Sequence, residues 1–175
     1  MTEQLIHSIL LALHNLALVG CAAAPFYNRQ LVLKRGQYGP KLNYQLDKVV
    51  EDTLQGNAVY CLIFITTLWI TGIGIPLNHY LFTGATQGLH AVAYTALAIK
   101  LVSVIGMMVI MAKIFYSINP RLRELFAGFA PDAVPDPTAE NEFFTKRARR
   151  KALCEICLKF AVVVLIASAF LGFHI

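Results

Sequence analysis

The sequence predicts an all-α integral membrane protein, a single membrane domain over 1–175 folded as a bundle of four transmembrane helices. Three observations carry this expectation. The chain is 57% hydrophobic and only 14% charged, with a mean hydropathy of +0.60, which is too apolar for an ordinary soluble domain. Its apolar residues gather into four runs, at about 5–26, 57–77, 88–115 and 152–173, each close to the roughly 20 residues that a hydrocarbon core requires. Charged residues fall mainly between those runs, in two of the three connections.

Taken in order, the first run begins without Lys or Arg in Met1 to Gln4, so it reads as a retained span rather than a signal peptide. The connection after it holds Arg29, Lys34, Arg35, Lys41 and Lys48. Within it, 41–56 spaces Leu42, Leu46, Val49, Val50 and Leu54 at helical intervals, which predicts an amphipathic interfacial helix lying at the membrane surface. Span two closes with Gly72-Ile-Gly74-Ile-Pro76, a pattern that permits close helix approach and then ends the helix. Span three carries Lys100 near its middle and Lys113 at its far end, where a long side chain can snorkel to the head groups. The last connection, about 117–149, breaks at Pro131, Pro135 and Pro137 before the basic run 146–151, and predicts an irregular tether.

The distribution of Lys and Arg sets the expected orientation. Loops 28–56 and 117–151 are basic, while the short middle connection and both tails have neither residue. The bias predicts two cytoplasmic loops with the N and C termini outside, across a bacterial-type inner or thylakoid membrane. The net charge of +5 is then topogenic, and the expected partner is the lipid bilayer rather than nucleic acid, because no stretch interleaves basic and aromatic residues. No phosphate-binding glycine loop, hydrolase elbow or paired-histidine zinc motif occurs, which disfavours ATP-driven transport and proteolysis. The four cysteines lie in or beside spans and read as free thiols.

Chemistry is expected first at Lys100, because a charge at bilayer depth costs roughly 2.5–3.5 kcal/mol on insertion scales and marks a site. No Asp or Glu matches its depth, so a bound anion such as a propionate or a substrate carboxylate is a natural counterion. At about 1.5 Å per residue, His14 lies on the order of 13 Å and Lys100 roughly 18 Å below the same surface, which makes them potential neighbours and the candidate catalytic pair. His7 shares a face with His14, since seven residues return to within about 20°, and His90 opens span three. His7, His14 and His90 are therefore candidate metal ligands, for a buried imidazole can ligate haem iron or copper. Met107 and Met111 continue the Lys100 face as a thioether stripe that can serve a cofactor, although gap filling is the plainer reading. His14 has a plain reading too, a hydrogen bond to a neighbouring helix. Cys154 and Cys157 have C-x-x-C spacing without a second half, and Glu155 is placed to pair with Lys159.

A histidine in span one, followed by a helix ending Phe26-Tyr-Asn-Arg-Gln-Leu-Val32, resembles the first span of bacterial four-helix membrane proteins related to the copper-resistance protein D family and to the membrane-bound protoporphyrinogen oxidase that works without flavin. The charged approach Tyr44-Gln-Leu-Asp-Lys-Val-Val-Glu51 and the stretches Gly88-Leu-His90 and Ile99-Lys-Leu101 extend the likeness. What the resemblance implies is a haem b or copper site in the bundle, with His14 as ligand and Lys100 near a propionate or an anionic tetrapyrrole. The chain departs from the oxidase pattern, in which lysine follows the span-three histidine by two residues; here Ala91 and Val92 follow His90.

Three functions are consistent with these features. The first is a haem b-binding redox protein, an oxidoreductase acting on a tetrapyrrole or in quinone-linked electron transfer. A second is copper import or handling, with histidines at one face and thiols and thioethers at the other. The third is a non-catalytic accessory subunit, in a homo-oligomer or a larger membrane complex.

Overall fold

The computed structural model describes residues 2–39, 41–85, 88, 90–130 and 135–170; Pro131 and His174 lie outside them. No strand occurs among the described residues. The elements are α1 (Thr2–Gly36), α2 (Tyr44–Thr83), α3 (Ala91–Lys113), a π-helical turn (Ile114–Ile118), α4 (Asn119–Ala127) and α5 (Pro137–Ala169). With α3 running through the π turn into α4, four helices among the described residues are long and apolar enough to cross a membrane. This is a multi-pass membrane protein, and the large aliphatic side chains exposed along its spans suit contact with lipid.

α1 packs along α2 and α5, and α3 packs along α5, while α2 and α3 approach less closely and are joined by the Trp69 indole N–H donating to Met108 Sδ at 3.0 Å. A mid-bundle core gathers Leu18, Ile65, Leu68, Val104, Met107 and Val164. A second core sits at the basic end of the bundle, where Ile118, Leu122, Phe129 and Phe143 meet. At one point α1 and α2 come so close that a Cβ on Gly20 would stand 2.5 Å from the Phe64 ring, so only glycine leaves that ring undisturbed. Asn57 Nδ2 donates to Asn28 Oδ1 at 2.8 Å across the same pair of helices. Polar contacts between membrane helices average about 0.6 kcal/mol and reach about 1.7. Asn57→Ala is therefore expected to lower stability within that range, measured by reversible unfolding in mixed micelles.

Four local expectations are corrected. Segment 41–56 leads into span two as expected, as one unbroken helix, but its charged residues do not all turn away from the apolar ones. From Tyr44 it is the first part of α2, capped by the Asn43 side chain, and its Asp47 and Glu51 face inward with Val50 and Leu54, because basic side chains wait for them there. Pro76 does not end span two, for α2 continues to Thr83, just as α1 continues past Pro25. Proline is tolerated where neighbouring groups satisfy the freed backbone.

Finally, 117–149 is mostly helical. The π turn carries α3 into α4, and α5 starts at Pro137 with Asp136 accepting from the Ala139 amide at 3.3 Å. Proline at the first helical position gives up an amide that had no partner in any case. The basic run 146–151 thus belongs to a helix. Glu155 pairs with Arg29 at 3.5 Å and Lys151 at 3.9 Å, not with Lys159.

Candidate functional site: a histidine–lysine pair and a buried charge cluster

Inside the apolar part of the bundle, His14 of α1 is buried and its ring is held at both nitrogens. Nδ1 lies 2.8 Å from Thr71 Oγ1, and that hydroxyl donates its single proton to the Thr67 carbonyl at 2.6 Å. Thr71 must then accept from His14, which places the imidazole proton on Nδ1. Nε2 is left with its lone pair, and Lys100 Nζ of α3 stands 3.1 Å from it as the donor. Thr71 can take this role because a threonine inside a helix bonds its own preceding turn, and Gly72 beside it leaves ordinary room for the ring.

The half-buried Lys100 has no acidic partner among the described residues. The arrangement is a neutral base with a fixed tautomer, capped by an ammonium that lacks a counterion. Such a site can ligate a metal through Nε2, accept a proton there, or bind an anion at Nζ.

The other sequence-predicted residues lie elsewhere. His7 is half-buried two turns away on α1 and does not join the pair. His90 is exposed, and its Nδ1 accepts from the Val92 amide at 3.4 Å to cap α3. Among the described residues no three His, Cys, Asp or Glu side chains are grouped to hold a metal ion, so His7, His14 and His90 are not assembled into one site. Met107 is buried deeper in the bundle, against the cysteines. Of the predicted set, the structure brings together His14 and Lys100.

Sequence reasoning missed two features. Thr71 is one, since a lone threonine in a span carries no signal of its own. The other is a charge cluster at the basic end. Arg35 grips Asp47 with two bonds, at 2.6 and 2.8 Å, and also donates to the carbonyls of Gly39 and Lys41. Arg147 donates to Asp47 and, at 3.0 Å, to Glu51, while Arg150 donates to Glu51 at 2.7 Å and to Asn119 at 3.2 Å. None of the five charged residues is more than 4% exposed, so each depends on its partners rather than on water.

The Phe143 ring lies 5.0 Å from the Arg147 guanidinium, and Phe144 lies 5.8 Å from that of Arg35. Three guanidiniums against two carboxylates leave the cluster one positive charge. Its signal was present as two acids four apart on the same side of a helix as Val50 and Leu54. The cluster ties α1, α2 and α5 to the start of α4, and with all members buried its part is structural. No family model, curated protein or solved structure matches this chain.

Proposed function

We propose that this is a membrane-embedded redox protein that binds haem b between its helices, with His14 Nε2 as an iron ligand and Lys100 paired to an anionic group of the haem or of a tetrapyrrole substrate. The observation that carries the reading is the fixed tautomer of His14. A metal-ligating histidine characteristically donates its second ring nitrogen to an oxygen partner, and Thr71 fills that position at 2.8 Å.

The donor set fits the group in both of its chemistries. Nε2 offers a lone pair, and an unpaired ammonium inside a membrane gains most from a carboxylate. Lys100 would exchange its bond to His14 for that carboxylate. A bound haem would supply one-electron chemistry, while the chain positions it and keeps water out. In this reading both termini face outward and the basic loops are cytoplasmic.

The purified protein is expected to show a Soret band and about one haem per chain by pyridine hemochrome assay, and His14→Ala is expected to lose both. A parent protein without either signal refutes the proposal. Thr71→Val keeps the volume but removes the acceptor for the His14 ring, and losing such a partner of a metal-ligating histidine costs about 10–100-fold in affinity. Haem titration of that variant should show such a drop with helical content unchanged.

A further inference from the structure

Every cysteine in the chain converges on one place. Cys21 of α1, Cys61 of α2, and Cys154 and Cys157 of α5 line a single cavity of about 20 Å³, together with the thioethers of Met107 and Met111 from α3. All four thiols are free and buried, and Cys157 lies within electrostatic reach of the other three. Scattered core cysteines need no explanation, because a thiol packs as a small hydrophobe. Six sulfur-bearing side chains from four different helices lining one small cavity are a different matter.

Charge supplies a second observation. Arg150 precedes Cys154 by four residues on the same face of α5, and the cluster to which it belongs is buried with one net positive charge. A monovalent ion held by two thiolates carries one negative charge, which that excess offsets. Coordination number narrows the ion further. A structural zinc site takes four ligands in a tetrahedron, and no three His, Cys, Asp or Glu side chains among the described residues are grouped for one ion. Thiolate and thioether ligands select copper(I), and that ion accepts two thiolates in a line.

We infer that this cavity binds one copper(I) ion, held by two thiolates drawn from Cys21, Cys61, Cys154 and Cys157 with the Met107 thioether alongside. Binding converts two thiols to thiolates and releases two protons to solvent, with no change of oxidation state at copper or sulfur. Apparent affinity therefore rises with pH, by up to about 100-fold per unit while the thiols are protonated.

The test is anaerobic titration of the detergent-purified full chain with copper(I) against bathocuproine disulfonate. One copper per chain is expected. A variant carrying serine at all four cysteines should bind at least about 100-fold more weakly, and His14→Ala should bind as the parent does, which separates this site from the haem proposal. A parent that cannot compete for copper, or a four-serine variant that competes equally well, overturns the inference. Should the four-serine variant fail to fold, alkylation of the parent decides. Copper loading must protect at least two of the four thiols from a membrane-permeant maleimide, and unchanged labelling overturns the site.

Discussion

Asp47→Ala is expected to destabilise the folded bundle by about 3–5 kcal/mol, the loss that follows when a buried ion pair keeps one partner without the other. The carboxylate accepts from Arg35, from Arg147 and, at 2.9 Å, from the Asn43 amide. Its removal leaves Arg35 without an acid and Arg147 with Glu51 alone, where water does not reach. The remaining acid cannot balance the cluster, because Glu51, which already accepts from both Arg147 and Arg150 at Oε1, would face three guanidiniums alone. Buried Arg147 Nη2 and Glu51 Oε2 have no partner even in the intact cluster, so the variant adds further unsatisfied groups to a site that already holds two. Reversible unfolding in mixed micelles, followed by far-UV circular dichroism, measures the loss. Glu124→Ala serves as the control. Its carboxylate pairs with Arg121 at 2.8 Å but is 69% exposed, so the variant should unfold with the parent.

Lys100→Met should insert and fold at least as well as the parent and should lose the anionic ligand. Methionine has a similar length without the charge, so the substitution removes up to about 2.5–3.5 kcal/mol of insertion cost. His14 Nε2 then keeps its lone pair but loses its donor at 3.1 Å, and an anion at this depth has nothing to balance it. Yield and thermal stability of the purified variant report the first effect, and haem content reports the second. A variant that folds and binds haem unchanged would show that the lysine is not the anchor.

The four spans were legible because membrane insertion depends on the mean hydropathy of a window, which a single chain states directly. The meeting of His14 and Lys100 was legible for a related reason. Depth follows from counting residues along a helix, and two polar groups at similar depth tend to find one another. Thr71 was not legible, since its role depends on the rotation of α2 about its own axis, which packing sets. The charge cluster was hidden by a competing explanation. Arg35, Arg147 and Arg150 satisfy the orientation bias of membrane loops whether or not anything pairs with them, so counting them as topogenic left nothing to explain. The same oversight left Asp47 and Glu51 unexamined in the expected surface helix. The tether over 117–149 failed for want of tertiary information, because prolines mark a helix start as readily as a break.

The spacing of the cluster along the chain has a consequence for synthesis. Arg35 and Asp47 are 12 residues apart and can meet as soon as α1 and α2 turn on one another, but Glu51 depends on donors 96 and 99 residues later. At roughly 5–20 residues per second, that carboxylate waits on the order of 5–20 seconds for α5 to leave the ribosome. Until then the half-made bundle holds an acid it cannot bury. A chain stopped before α5 is thus marked as unfinished by the same residue that locks the finished one.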